Sequence, residues 1–361
     1  MPDKFWAQRK RLFSRYDEGI NIGGEGDPEM WYSVTPESIA NHVANRMVAM
    51  ICQSRNGCAV NEEGHKQLVG NNVDDAGDAL KKDNGVQNNK DSCDKHIVII
   101  DLFCGCGGNS IAFARMNNNN ASEPVWNGAS PTDRSVKVVA IDNNLSRLKM
   151  AANNASVYGI ESKNIVFVHA DAIDVLNHYS KGSKRSTCKG GRSDTAAEKK
   201  SAPEIQICSG YNVGGLELLP DTVDGIFLSP PWGGLSYGNV GSSGFDPISS
   251  ITIKSGLGEA QLPQQHCQEN AITKLGIDEK QASSATINGG ELLTRAAKAV
   301  FNHDTGVVTY FLPRNTNGIS IGQIAVTSGI EGHFEMEQNV VNGKVKTITA
   351  YFGNCHEKLL L

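Results

Sequence analysis

Ile97-Val98-Ile99-Ile100-Asp101-Leu102-Phe103 runs directly into Cys104-Gly105-Cys106-Gly107-Gly108-Asn109, and that into Ser110-Ile111-Ala112-Phe113-Ala114. The first segment is an unbroken apolar run closed by an acid, the pattern of a central parallel strand covered on both faces. The second holds glycines that let a backbone pass close to a ligand. The third reads as a helix. The turn is neither the G-x-G-x-x-G dinucleotide fingerprint nor a P-loop, since no Lys-Ser/Thr follows it, so on its own it names no ligand.

The same unit repeats along the chain. Val136 to Asp142 is a second apolar run closed by an acid, followed by a helix from Leu145 to Tyr158 that stops at Gly159. A carboxylate at that strand end can receive both hydroxyls of a ribose. Ile165 to Val168 is a third strand, and Asp171 follows it. Asp171 can accept the exocyclic amine of an adenine, or cap the helix from Ala172 to Tyr179, or do both. Asp224 to Leu228 is a fourth strand, stopped by Ser229-Pro230-Pro231-Trp232. Two prolines make that turn stiff. It is either a plain structural turn or a holder for a planar amine, whose N–H groups Ser229 and a backbone carbonyl accept while Trp232 stacks on its face. A helix from Gly290 to Phe301 leads to a fifth strand, Val307 to Leu312, which ends in Pro313-Arg314-Asn315. After a helix at Ile319 to Ser328, two alternating runs flank Asn342-Gly343, a strong hairpin signal. Alternating strands and helices with right-handed crossovers predict a parallel sheet with helices on both faces, closed by an antiparallel pair.

Between these units the composition changes. Residues 52–95, 117–135, 180–221 and 238–288 are polar stretches rich in Asn, Ser, Gly, Lys or Gln, expected to be disordered insertions. They explain why only 39% of the 361 residues are apolar. A net charge of −5 confines any nucleic-acid contact to a local patch. One such patch is Lys4 to Tyr16, which mixes Lys4, Arg9, Lys10, Arg11 and Arg15 with Phe5, Trp6, Phe13 and Tyr16. Trp6, Arg9/Lys10 and Phe13 fall at helical spacing, suiting either an amphipathic helix with a solvated face or a surface that binds phosphates and bases. Next, Ser33 and Thr35 precede Pro36 at the start of a helix expected to run to about Ile51. Nine cysteines with no Cys-x-x-Cys pair, and no apolar core of a signal peptide at the start, predict reduced thiols and no metal site. No apolar run is long enough to cross a bilayer, so no membrane partner is expected.

A Gly-rich turn, two acids and a Ser-Pro-Pro-aromatic turn at four successive strand ends resemble the class I S-adenosylmethionine-dependent methyltransferases that modify exocyclic nitrogens. The resemblance narrows to the trimethylguanosine synthase family, which hypermethylates 7-methylguanosine RNA caps. It is carried by Lys4 to Arg9 with Leu12 to Asp17, Trp31-Tyr32-Ser33-Val34-Thr35-Pro36, Asp101 to Asn109, Ala140-Ile141-Asp142, Phe227 to Gly234, Tyr310 to Asn315 and Lys346 to Gly353. It implies a Rossmann-like, seven-stranded, mostly parallel sheet over 96–361, preceded by a helical cap-binding extension over 1–51. It implies S-adenosyl-L-methionine as cofactor, with Phe13, Thr35, Asp101, Phe103, Cys104, Gly105, Gly107, Asn109, Asp142 and Asp171 around it. Asp101 either contacts the cofactor directly or holds its amino group through the Gly turn. Ser229, Pro230 and Trp232 would carry the catalysis. Lys4, Ser33, Trp232, Tyr237, Arg314 and Asn315 would hold the cap. The partner implied is 7-methylguanosine-capped RNA of the small nuclear or nucleolar type, with ribonucleoprotein proteins, a monomeric state and a nuclear location.

One departure stands out. The family commonly has Gly-Gly-Pro-x-Tyr after the tryptophan, whereas this chain reads Gly233-Gly234-Leu235-Ser236-Tyr237. Two other readings compete. An enzyme acting on guanine N2 of ribosomal RNA or on adenine N6 would share the sheet but lack the Lys4 to Asp17 segment. A cap-binding protein that had lost catalysis would keep Trp232 and Arg314 and need neither Asp142 nor the Gly turn.

Overall fold

The computed structural model describes residues 3–23, 29–64, 96–117, 135–180, 205–208, 210–233, 238, 243–257, 285–301, 306–330 and 334–353. In chain order these form α1 (Asp3–Trp6), α2 (Arg9–Leu12), α3 (Met30–Ser33), α4 (Glu37–Gly64), β1 (His96–Asp101), α5 (Gly108–Arg115), β2 (Ser135–Asp142) and α6 (Leu145–Val157). Then come β3 (Ile165–His169), α7 (Ala172–Ser180), β4 (Ile205–Cys208), β5 (Tyr211–Gly214), β6 (Gly225–Leu228), α8 (Pro247–Ser250) and β7 (Thr252–Lys254). Finally come β8 (Thr286–Asn288), α9 (Gly289–Val300), β9 (Val307–Pro313), α10 (Gly318–Thr327), β10 (Phe334–Val341) and β11 (Lys344–Gly353).

One sheet of nine strands runs β10-β11-β9-β6-β1-β2-β3-β5-β4. β1 lies at its middle, parallel to β2 on one side and to β6 on the other. From β1 the chain steps outward through β2 and β3, then returns to β6 and steps the other way to β9. That reversal makes a topological switch point between β1 and β6, and ligands of open α/β sheets bind at the carboxyl ends of the strands there. The predicted class I layout is present, including the antiparallel closure by β11 and β10. Asn342 (φ 54°) and Gly343 (φ 69°) turn that hairpin, the two positive φ angles that the dipeptide predicts.

The sheet has nine strands rather than the seven expected. The two extra strands, β4 and β5, form an antiparallel hairpin against β3 inside the stretch read as an insertion. Tyr211 explains the docking: its ring meets Phe167 edge-on at 5.7 Å, and its hydroxyl donates to the Ile160 carbonyl. The 238–288 stretch likewise holds α8 and the paired strands β7 and β8. The rest of the expected insertions, 65–95, 118–134, 181–204, 209, 239–242 and 258–284, lies outside the described residues.

α4 also differs from expectation. It continues past Ile51 to Gly64. The composition there is poor for a helix, but Arg55 forms a largely buried ion pair with Asp224 and donates to the His96 carbonyl at 3.2 Å. Asp224 in turn accepts the Val98 N–H at 2.8 Å, so the ion pair ties α4 to the starts of both β1 and β6. The amino-terminal arm is two short helices rather than one amphipathic helix. Phe13 is buried while Trp6 is 48% exposed, so the two rings do not share one buried face.

The sheet is covered on both faces. One face packs against α4, α5 and α6 through Met47, Ile51, Phe113, Leu148 and Ala151, against Phe167 and Phe227 of the strands. The other packs against α7, α9 and α10 through Leu176, Leu292 and Ile324, against Ile141, Leu228 and Tyr310. Each of the large apolar side chains among these contributes about 1.5–3 kcal/mol by leaving water. Gly225 lets α4 approach: a Cβ there would collide with Met47 Cε and stand 3.1 Å from Ile51 Cδ1.

Candidate active site

The strand ends at the switch point, together with α3, enclose a cavity of about 270 Å³. Of the expected site residues, Ser33, Thr35, Phe103, Cys104, Gly105, Asn109, Asp142, Asp171, Ser229, Pro230 and Trp232 all line it. They come from five separate segments of sequence, brought together by the sheet order.

The Gly turn forms the floor. Gly105 (φ 53°) and Gly107 (φ 91°) adopt backbone that side chains disfavour. A Cβ at Gly107 would press on Ala151 at 3.1 Å, so this glycine, which does not line the cavity, sets how closely the turn packs on α6. Asp142 fixes the turn from the neighbouring strand. Its two carboxylate oxygens accept the Gly105 N–H at 3.0 Å and the Asn144 N–H at 2.9 Å. The carboxylate is thereby held in one orientation on the cavity wall, and each oxygen can accept a second donor.

Asp101 lies beneath the turn, fully buried, and does not line the cavity. Burial pushes its carboxyl up to about 7, against the Ser110 hydroxyl, which donates at 2.6 Å, and the Phe103 N–H; Asp142 nearby pushes it up further. Its other oxygen, Oδ1, and Asn109 Oδ1 are buried acceptors without a hydrogen-bond partner among the described residues. Asn109 faces the cavity and donates its Nδ2 to the Thr35 hydroxyl at 3.1 Å. An unfilled acceptor on Asn109, beside a Gly turn and the Asp142 carboxylate, suits a ligand carrying an ammonium group and a ribose. Those are the polar ends of S-adenosylmethionine, so the donor set fits that cofactor.

At the end of β6, the Ser229 hydroxyl donates to the Phe103 carbonyl at 3.3 Å and keeps its oxygen as an acceptor. The Trp232 indole N–H donates to the Phe311 carbonyl at 3.3 Å. Its ring lies 5.7 Å from the Phe311 ring at a tilt of 33°, half-buried. Pro230 is buried and Pro231 exposed.

Other expected residues lie elsewhere. Phe13 packs behind the wall, against the Gly108 end of α5 and the Tyr158 ring, and does not reach the cavity. Arg314 is exposed beyond β9, outside the lining. The Asn315 carbonyl accepts the Phe245 N–H at 2.8 Å, and Asn315 too is outside the lining. Tyr237 and the Lys4 side chain fall outside the described residues. The sequence reading missed Phe311, Asn143, the ion pair of Glu29 with Arg147 (3.2 Å) and the β7 residues Thr252, Ile253 and Lys254, all on the cavity wall. Asp171 caps α7, with Oδ1 accepting the Ile173 N–H at 2.7 Å, and also lines the cavity. Burial raises its carboxyl above the usual range, opposed by the backbone N–H groups of Ile173, Gly256 and Asp174.

Residues 96–251 match the model of the RNA cap guanine-N2 methyltransferase family. The chain is 25% identical over 234 residues to a trimethylguanosine synthase of Schizosaccharomyces pombe, covering 65% of this chain and 55% of that protein. It is 24% identical over 234 residues to a trimethylguanosine synthase of Saccharomyces cerevisiae, covering 65% of this chain and 42% of that one. The chain thus spans about half the length of the curated relatives it matches. A solved structure of human methyltransferase-like protein 13 in complex with SAH is similar at 9% identity and a TM-score of 0.31, over 74% of each chain.

Proposed function

We propose that this chain, which carries the RNA cap guanine-N2 methyltransferase domain over residues 96–251, methylates the exocyclic N2 of 7-methylguanosine RNA caps. The observation that carries the proposal is the pairing, in one cavity, of a carboxylate suited to a ribose, Asp142, with an indole fixed at the end of β6, Trp232. When bound, S-adenosylmethionine supplies an electrophilic methyl on a sulfonium.

The chain's own residues supply binding and alignment. Asp142 would accept the ribose hydroxyls, and Asn109 Oδ1, on the cavity wall, would accept from the ammonium. A 7-methylguanine is cationic, and stacking on the Trp232 face adds a cation–π attraction of about 1 kcal/mol. Phe311 backs that indole, so the ring is held before the base arrives. Ser229 Oγ and the Pro230 carbonyl would accept the two N2 hydrogens and set the direction of the nitrogen lone pair. No protein base is required, because the alkylated amine is acidic enough to release its proton to water. Ser33, Lys4, Arg314 and Asn315 are proposed for the cap phosphates on the family resemblance.

The proposal extends to products carrying one and then two N2 methyl groups, to small nuclear and nucleolar RNA substrates, to ribonucleoprotein partners and to a nuclear location. These finer points rest on the resemblance to the family alone.

The test is incubation of the purified protein with labelled S-adenosylmethionine and either a 7-methylguanosine cap analogue or its unmethylated counterpart. Transfer to the 7-methylated analogue alone supports the reading. Equal transfer to both overturns it, and a mass spectrum of the product cap counts the methyl groups added.

A further inference from the structure

β7 begins at Thr252, immediately beyond the stretch that matches the family model. Thr252, Ile253 and Lys254 nevertheless form part of the cavity wall, beside Asn143, Ala170, Asp171 and Ala172. That is the end of the cavity at β2 and β3, where a nucleoside would lie. The pairing of β7 with β8 cannot by itself fix this position, because the two strands form a separate small sheet with no ladder to the main one.

One residue ties β7 to the strand ends of the main sheet. The Gly256 N–H donates to Asp171 Oδ2 at 3.0 Å, and the Gly256 carbonyl accepts Asn143 Nδ2 at 3.1 Å. Both polar groups of one residue are therefore held, one by the end of β3 and one by the end of β2. Each partner is itself braced: Asp171 Oδ1 by the Ile173 N–H, and the Asn143 carbonyl by His169 Nε2 at 3.0 Å. Gly256 has a φ of 142°, which L side chains rarely adopt, yet a Cβ there would meet nothing within 4 Å. The glycine is needed for its backbone conformation and not for space.

We infer that Asn143, Asp171 and Gly256 form a clasp that seats β7 over the nucleoside end of the cavity, making β7 a determinant of how tightly an adenosine is held. This rests on the proposed function only in taking the ligand to be an adenosine derivative. Asp171 and Asn143 act here as positioning residues, through Ile253, which is buried against the same wall. Asp171 Oδ2 already receives the Gly256 N–H, so the acid read as an adenine acceptor, a helix cap or both also holds the wall in place.

The experiment measures binding of S-adenosylhomocysteine and of 5′-methylthioadenosine by calorimetry, and of 7-methyl-GTP by tryptophan fluorescence, for the wild type, Gly256→Ala and Asn143→Ala. Loss of the Asn143 hydrogen bond, and in Gly256→Ala the strain of a side chain at a φ of 142°, predict up to about tenfold weaker binding of both adenosine ligands in each variant. The cap analogue should stay within about twofold, and the unliganded melting temperature of Asn143→Ala should hold. In turnover, the cofactor KM should rise for Gly256→Ala with kcat at saturation retained. Unchanged adenosine affinity in both variants, or equal loss for the adenosine ligands and the cap analogue, would overturn the clasp. A wild type that binds no S-adenosylhomocysteine at all would instead remove the functional reading beneath it.

Discussion

Trp232 gives its indole N–H to the carbonyl of Phe311 and rests its ring 5.7 Å from the ring of the same residue. Two strand ends thus hold one aromatic surface. The hydrogen bond fixes where the indole is, and the Phe311 ring limits how far it can swing. A cation stacking on Trp232 then meets a ring that does not have to be ordered first, which saves conformational entropy on binding.

Trp232→Ala should therefore abolish stacking of the base and cut affinity for 7-methyl-GTP by about tenfold or more, with S-adenosylhomocysteine affinity nearly unchanged. Phe311→Leu should keep the hydrogen bond to the backbone but free the ring, costing about threefold in cap affinity. Fluorescence titration and calorimetry read the two ligands separately. A loss of cofactor binding in Trp232→Ala would show that the residue is structural.

Asp142→Asn removes a charge and one acceptor while keeping the shape. The Gly105 N–H would then face an amide, and the ribose would lose its carboxylate. The expected result is a rise of about tenfold or more in the Kd for S-adenosylhomocysteine. An unchanged Kd would mean that Asp142 only braces the Gly turn.

Asp101 makes a pH prediction with a defined sign. Its carboxyl is raised from 3.8 to about 7 by burial. Between those values the folded chain keeps a proton that the unfolded chain has lost, so this group's contribution to stability falls as pH rises and levels off above about 7. Asp101→Asn cannot titrate. The difference in urea stability between wild type and variant should therefore decline from pH 4 to pH 7 in the wild type's disfavour. A flat difference would mean that the carboxyl is ionised throughout.

Arg55→Met should destabilise the fold by about 3 kcal/mol, because it leaves the largely buried Asp224 without its cation. Hydrogen exchange should then show faster opening of α4 beyond Ile51 and of the first residues of β1. Equal protection in both proteins would show that the helix is held by its apolar face alone.

Much of this architecture could be read from the chain before its structure was seen. Each acid-terminated apolar run became a strand of the main sheet, and Asn342-Gly343 became the turn of the closing hairpin, because those signals are local. Phe311 was not legible as a site residue. In sequence it is one apolar position in a strand, and it reaches Trp232 only because β9 lies beside β6. Asn143 and β7 were hidden for the same reason, since Gly256 meets Asp171 across 85 positions of chain. The extension of α4 was missed because its composition argues against helix and an ion pair to a distant strand outweighs it. Phe13 carries the family's pattern, but its ring packs behind α5, a placement set by the path of the amino-terminal arm.

The strand order also sets a timetable for the newborn chain. β1 occupies the centre of the sheet, yet one of its two neighbours is β6, where Ile99 pairs with Gly225. β2 can join β1 early in synthesis, whereas the opposite edge of β1 stays open until residues 100–224 have all left the ribosome. The edge of β6 then waits for β9 in turn. During that interval an apolar strand presents unpaired amide groups to its surroundings, the condition in which strands recruit wrong partners. Lengthening the connection between β1 and β6 prolongs the interval, so the long polar stretches between them extend the time for which that edge of β1 stands unpaired.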